Sequence, residues 1–284
     1  SLVAISSDGE FMGHIAAKRE PPEGPIAELG VLLVAPAFRS RGVGDRMAHE
    51  IIAAVRASGV RSAYVRAVAG HTISQHMSLE YGQRPCAILL GTFPRDVEFK
   101  ELAGPIPEKM SGLVLWMPMI PPEPRRLFIP ERHREWIERI YRILEVPWNE
   151  TGAGRPALEK GTHLKSRFAE ILNIGEVEIP RCDQGALNEA ARAIRELCLK
   201  GAEAVYLYVT LEDPGAPELA DALEEFGCFF AGLIPDRIAG RDALVLQYLS
   251  NLAINYQNIR LEDPASRELL AYIESQDPLK NDRG

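Results

Sequence analysis

Arg39-Ser40-Arg41-Gly42-Val43-Gly44 spaces two arginines and two glycines as a cradle for an anion. The run before it, Leu32-Leu33-Val34-Ala35-Pro36, reads as the end of an apolar strand. The run after it has helical spacing. A strand that turns straight into a helix leaves the first backbone N–H groups of that helix without partners, at the positive end of its dipole. Such a helix start binds anions. Gly42 and Gly44 carry no Cβ, so a phosphate can approach the backbone closely. The flanking arginines add charge-assisted hydrogen bonds. No Lys-Ser or Lys-Thr follows the glycines, which excludes a Walker-type nucleotide loop. A dinucleotide fingerprint needs three glycines within a βαβ unit, whereas the preceding strand here belongs to an apparent antiparallel meander. The pattern predicts a pyrophosphate site of another kind.

The elements that hold this loop are legible around it. Strands are predicted at Leu2–Ile5, Phe11–Ala17 and Ile26–Val34, the last two separated by Pro21-Pro22-Glu23-Gly24-Pro25. Met47, Ile51, Ile52 and Val55 recur at helical spacing until Ser58-Gly59. Ala63–Val68 is predicted as a strand, Thr72–Glu80 as a helix closed by Gly82, and Cys86–Thr92 and Leu113–Met117 as strands. Pro121-Pro122-Glu123-Pro124-Arg125-Arg126 reads as an extended spacer between domains. Beyond it come a helix at Glu131–Leu144 and a run at Gly152–Arg155 read as a flexible loop. Strands follow at Ser166–Ile171 and Gly175–Ile179, a helix at Gly185–Lys200 and a strand at Ala204–Thr210. A helix at Pro217–Phe226, strands at Cys228–Ile234 and Ala243–Leu249, and a helix at Ala265–Ser275 complete the chain. Both halves run helix, strand, helix with a closing Gly, then two strands. Leu79-Glu80-Tyr81-Gly82 matches Glu224-Glu225-Phe226-Gly227 in position. This order predicts an α+β (α/β) fold in two domains, residues 1–120 and 125–284, related by an internal duplication.

The 284 residues suit two compact domains. Hydrophobic residues make up 46% and charged residues 25%, the balance of a soluble globular protein. No apolar run is long enough to span a membrane, and the opening Ser-Leu-Val-Ala-Ile has no signal-peptide character. It also reads as the start of a piece cut from a longer protein. A net charge of −8 argues against nucleic acid as a partner. The arginines between Phe38 and Val68 form a local basic region that suits a small polyanionic ligand; a solvated helix face explains some of them equally well. Cys86, Cys182, Cys198 and Cys228 have neither metal-ligand nor redox spacing and read mostly as buried thiols of a reducing, cytoplasmic compartment. The six histidines form no ligand cluster, so no metal site is predicted.

Around the loop the chain resembles the GNAT superfamily of acyl-CoA-dependent N-acyltransferases. Arg39, Gly42 and Gly44 match its (Arg/Gln)-x-x-Gly-x-(Gly/Ala) loop, and Leu32, Val34 and Pro36 match its Leu-x-Val-x-Pro strand end. The resemblance covers roughly residues 2 to 118. It implies that the backbone of Leu32, Leu33 and Val34 pairs with pantetheine. It implies that backbone N–H groups of Ser40, Arg41, Gly42, Val43, Gly44 and Asp45, with Arg39 flanking them, hold the pyrophosphate of acetyl-CoA or another acyl-CoA. It further implies an amine acceptor, small molecule or peptide, that attacks the thioester directly. Glu28 stands where many relatives carry a general base, although an exposed strand-end charge accounts for it as well. Ser78 stands where the family's general-acid tyrosine falls, and Tyr81 reads as a packed side chain. His14, His71 and His76 are lesser candidates for the base. The family's usual first strand and helices have no counterpart before Leu2.

The second half resembles the same fold in degenerate form. At its loop position, Val177-Glu178-Ile179-Pro180-Arg181-Cys182-Asp183-Gln184-Gly185 keeps one arginine and one glycine and places Asp183 where phosphate would sit. The expectation is a tandem of two GNAT-like domains, each a mixed, mostly antiparallel sheet flanked by helices, with one CoA site. The second half would cover the acceptor side, form a homodimer contact or hold another ligand. Two functions stay open: an N-acetyltransferase, or a non-catalytic acyl-CoA sensor within a larger protein. A purely structural tandem would leave the intact loop unexplained.

Overall fold

The structure is a computed structural model that describes residues 1–19, 21–95, 108–152 and 164–281. Three antiparallel strands open the chain: β1 (Leu2–Ile5), β2 (Phe11–Arg19) and β3 (Ile26–Val34). Helix α1 (Val43–Ala57) crosses over to β4 (Ser62–Val68), which lies parallel to β3. Then come α2 (Ile73–Glu80), β5 (Arg84–Leu89) and β6 (Gly112–Pro118). A small two-stranded sheet, β7 (Arg125–Leu127) and β8 (Trp148–Glu150), brackets α3 (Arg134–Leu144). The remainder is β9 (Lys165–Ala169), β10 (Ile174–Ile179), α4 (Ala186–Leu199), β11 (Ala204–Thr210), α5 (Ala216–Glu225), β12 (Phe229–Ile238), β13 (Arg241–Leu249), α6 (Pro264–Gln276) and the short α7 (Pro278–Asn281).

Among the described residues, eleven strands form one sheet in the order β1-β2-β3-β4-β6-β5-β12-β13-β11-β10-β9. The order repeats about the β5–β12 seam. On one side β2-β3-β4-β6-β5 runs antiparallel, parallel, antiparallel, antiparallel, and β9-β10-β11-β13-β12 repeats those four relations. A helix makes the parallel crossover in both, α1 in the first and α4 in the second. Central strands covered on both faces need continuous apolar runs rather than alternation. β11, Ala-Val-Tyr-Leu-Tyr-Val-Thr, is accordingly buried at every position.

The seam depends on a glycine. Gly232 has φ +125° and pairs with Ala87; a Cβ there would lie 2.3 Å from the Cys86 carbonyl oxygen and 2.5 Å from the Ala87 Cα. The largest core cluster spans both halves through this seam, joining Cys86, Ile88 and Leu90 to Phe230, Leu233 and Leu244. A smaller cluster lies under the first sheet end, where Met47, Ile51 and Val55 of α1 meet Ile15, Ala27, Leu29 and Ala63. That stripe is the one the helical spacing predicts.

The second half departs from expectation in two places. The strand predicted at Ser166–Ile171 ends at Ala169; a 3₁₀ turn at Glu170–Leu172 and the left-handed Asn173 (φ 48°) follow it, and Ile171 is exposed. The Pro-rich run read as a spacer contains Arg125, which is buried and donates from Nη2 to Asp236 Oδ1 at 2.7 Å. The partner lies more than a hundred residues away, beyond the reach of local pattern. Residues 153–155 of the glycine-containing run lie outside the described residues.

Candidate active site

The gap between β3 and β4 is built by a loss of pairing. The two strands share four parallel rungs, from Ile26↔Ser62 to Leu29↔Val65. Beyond them β4 stays paired with β6 as far as Val68, and β3 stays paired with β2 as far as Val34. Both strands continue, but away from each other. The cause lies in β3, where the register with β2 shifts between His14 and Ala16 and Val31 takes φ 55°. An inserted residue of this kind bends a strand and ends its pairing. His14 Nδ1 lies 3.3 Å from the Val31 carbonyl oxygen, across the bulge.

The free edge of β3 is polar. Ala35 N–H donates to Met12 O at 2.9 Å. By alternation, the N–H and C=O of Val34 point the other way, into the gap. Arg39 Nε donates to that Val34 carbonyl at 3.3 Å. Leu32 packs inward under α1, while Leu33 is 57% exposed on the opposite face.

The loop below the gap has the backbone its glycine pattern calls for. After a 3₁₀ turn at Pro36–Phe38, Ser40 takes φ 56° and Gly42 φ 74°, ψ 6°. Gly42 is the N-cap of α1 and no side chain caps the helix. The first-turn N–H groups of Val43, Gly44 and Asp45 therefore have no partner within the helix. A Cβ on Gly44 would lie 3.4 Å from Val34 Cγ2, so this helix start rests against the free edge of β3. A Cβ on Gly42 would meet nothing within 4 Å. The arginines are not aimed together. Arg39 turns back to β3, and Arg41 lies over the Phe38 ring at 5.7 Å.

Asp45 is tied to α2. Tyr81 OH donates to Asp45 Oδ1 at 2.5 Å, and its ring meets His49 edge-on at 4.9 Å. Burial, with the Asp45 carboxylate beside it, pushes the Tyr81 hydroxyl above the ordinary tyrosine range. Tyr81, read from sequence as a packed side chain, thus spends its hydroxyl on the start of α1.

The two residues proposed for proton transfer sit on different faces of the sheet. Glu28 lies one rung before β3 and β4 part. Arg66 Nε donates to its Oε1 at 2.7 Å and Tyr64 OH to its Oε2 at 3.2 Å. Its neighbours Ala27 and Leu29 pack under α1, so Glu28 points to the opposite face. Ser78 is buried on α2, which lies on the α1 side, as the Tyr81–His49 contact requires. Of the other candidates, His76 is exposed between Glu80 and Glu262, and the His71 carbonyl accepts from Gln75 Nε2 at 3.0 Å.

On the Glu28 face the two ends of the sheet curl toward each other. A cavity of about 380 Å³ is bounded by Gly30, Val31 and Arg66 of the first half and Arg167, Leu172 and Ile174 of the second. A neighbouring cavity of about 280 Å³ takes in Tyr64, Lys165, Glu176 and Arg237. Lys18, Glu28 and Arg167 line both. Motif reading missed these second-half residues. The signal was present: Ile26-Ala27-Glu28 recurs as Ile174-Gly175-Glu176 at the equivalent rungs of β3 and β10.

The matching place in the second half has no gap. β10 and β11 remain paired over six rungs, Ile174↔Ala204 to Ile179↔Val209. Asp183 Oδ1 accepts from Gly185 N–H at 2.8 Å. A Cβ on Gly215 would fall 2.1 Å from Cys182 O, so the following turn packs directly on this loop.

Comparison with known proteins bears on the first half. Residues 1–82 match the acetyltransferase (GNAT) family. No curated protein matches the chain. Similar solved structures include Ard1 from Thermoplasma volcanium, with 15% identity over 39% of this chain and 66% of that one and a TM-score of 0.31. The ribosomal-protein-S18-alanine N-acetyltransferase from Escherichia coli has 14% identity over 40% of this chain and 65% of its own, with a TM-score of 0.33. A Bacillus subtilis acetyltransferase in complex with CoA has 13% identity over 42% and 75%, with a TM-score of 0.35. The chain thus spans just under two thirds of the length of the first two. The bulged strand, the parting of β3 and β4, the glycine loop and the start of α1 all fall within residues 1–82, the segment that matches the acetyltransferase (GNAT) family.

Proposed function

We propose that the chain is an acyl-CoA-dependent N-acyltransferase that moves an acetyl group to an amine. The observation that carries this reading is the opening between β3 and β4, which ends on the uncapped start of α1. The donors suit the ligand: a strand edge at Val34 for the pantetheine amides, and backbone N–H groups from Ser40 to Asp45 for the pyrophosphate. Acetyl-CoA brings an activated acyl group. The acceptor nitrogen bonds to the acyl carbon, the C–S bond breaks, and the thiolate leaves. The Val34 N–H is the candidate to polarise the thioester carbonyl. Glu28, directly or through water, takes the proton the ammonium must lose before attack. Ser78 is the candidate to return a proton to the thiolate. On this reading residues 125–284 are a degenerate second copy whose closed β10–β11 pair admits no pantetheine, and the free thiols belong to a reducing cytoplasm.

A second reading, an acyl-CoA-binding module without turnover, draws support from Glu28. Both its oxygens already accept hydrogen bonds, from Arg66 and Tyr64. Titration calorimetry with acetyl-CoA and a thiol-release assay over a panel of amines separate the two. Saturable binding with thiol release supports the enzyme, and binding without release supports the module. No binding by the intact chain rejects both.

A further inference from the structure

The duplication has placed two charged rows opposite each other. Across β2, β3 and β4 the paired positions are Lys18, Glu28 and Tyr64. Across β9, β10 and β11 they are Arg167, Glu176 and Tyr206. Lys18, Glu28, Arg167 and Glu176 line one cavity between the sheet ends. Across this cavity and its neighbour three arginines are matched to carboxylates: Arg66 to Glu28 at 2.7 Å, Arg167 Nη2 to Glu176 at 2.5 Å, and Arg237 to Glu178. Such pairs fix the geometry of the walls.

Among the described residues the charge of the lining does not cancel. In the smaller cavity four cations, Lys18, Lys165, Arg167 and Arg237, stand against three carboxylates, Glu28, Glu176 and Glu178. In the larger one Lys18, Arg66 and Arg167 stand against Glu28 alone. This positive balance occurs in a chain of net charge −8. A concave site with low-dielectric walls focuses such a field and draws ligands of opposite sign. The larger cavity also has an apolar side made by Val31, Phe93, Leu172 and Ile174. Volumes of about 380 and 280 Å³ suit a small molecule.

We infer that these joined cavities bind a small amine that also carries an oxyanion group, a carboxylate or a phosphate. Its ammonium sits at Glu28, beside the β3–β4 opening. Its apolar body lies against Val31 and Leu172. Its oxyanion lies toward Lys18 and Lys165, so that the second half supplies much of the acceptor pocket. The role of this ligand as acyl acceptor rests on the function proposed above; its binding does not.

Calorimetric titration of the full chain with leucine, O-phosphoethanolamine and isoamylamine tests the inference. The first two carry an oxyanion and the third does not. At least one oxyanion amine should bind tenfold or more tightly than isoamylamine, and which one does identifies the oxyanion. The Lys18→Gln/Lys165→Gln variant should lose that advantage while keeping its melting temperature and its affinity for acetyl-CoA. Equal or tighter binding of isoamylamine, no binding of either oxyanion amine, or an unchanged double variant would each overturn the assignment. Loss of acetyl-CoA binding with the amine pattern intact would instead sink the acyl-transfer reading alone.

Discussion

Replacing Gly42 by valine tests the donor site most directly. Gly42 holds φ 74°, where a residue with a Cβ pays about 1–2 kcal/mol. Nothing lies within 4 Å of the Cβ position, so the strain is conformational and no clash adds to it. Two outcomes are open to the chain. If the loop keeps its shape, the new side chain projects into the space that a phosphate must enter. If it relaxes, the N–H groups that follow swing out of line. A hydrogen bond to a charged group is worth about 1.5–3 kcal/mol, so losing one costs roughly tenfold to 150-fold in affinity. Gly9 supplies the control. It has φ 82°, equally open space and a place in the β1–β2 turn. Gly9→Val should lower unfolding free energy by the same 1–2 kcal/mol and leave acetyl-CoA binding unchanged. Calorimetry and urea unfolding on both variants read the two effects separately. Wild-type affinity in Gly42→Val, or an equal loss in Gly9→Val, would refute the reasoning.

Three further perturbations follow from the geometry. Glu28→Gln should slow thiol release by about 100-fold or more with acetyl-CoA affinity unchanged, the size expected for loss of a general base; an unaltered rate removes Glu28 from that role. Gly232→Ala puts a methyl group 2.3 Å from a carbonyl oxygen at a residue with positive φ. Overpacking and backbone strain together predict a loss of about 2–5 kcal/mol in urea unfolding, and a change within 0.5 kcal/mol would contradict the seam's close packing. Burial pushes the Asp242 carboxyl from an ordinary 3.8 up to about 6 against the pull of Arg125. A carboxyl raised on folding favours the folded state most below its unfolded pKa and gives that up as pH rises through 6. Unfolding free energy should fall between pH 4 and 6.5 by up to about 3 kcal/mol more in the wild type than in Asp242→Asn. Parallel pH curves for the two proteins would reject this.

What sequence reveals here follows the range of the forces involved. The glycine loop, β3 and the Met47-Ile51-Val55 stripe are set by neighbours within a few residues, and they stand where pattern puts them. The strand predicted at Ser166–Ile171 runs past the end of β9 because Ile171 is apolar yet exposed, and only the left-handed Asn173 marks the turn. The parting of β3 from β4 was not legible. It hangs on one inserted residue at Val31, in a run that otherwise alternates like any strand. Nor was the engagement of Glu28, since Tyr64 and Arg66 reach it from a strand almost forty residues on. The Lys18–Arg167 cavity depends on the curl of the whole sheet, which no local window contains.

The unequal pairing of β3–β4 and β10–β11 also sets a clock. Four rungs hold the first parallel pair and six the second. Amide hydrogens at Leu32 and Val34, on an edge facing the gap, should exchange with solvent far sooner than those of Val177 and Ile179 on β10. Occupation of the gap would slow the first set and leave the second untouched. Deuterium uptake would then distinguish a β3–β4 pair that takes a ligand into its opening from a β10–β11 pair that stays closed.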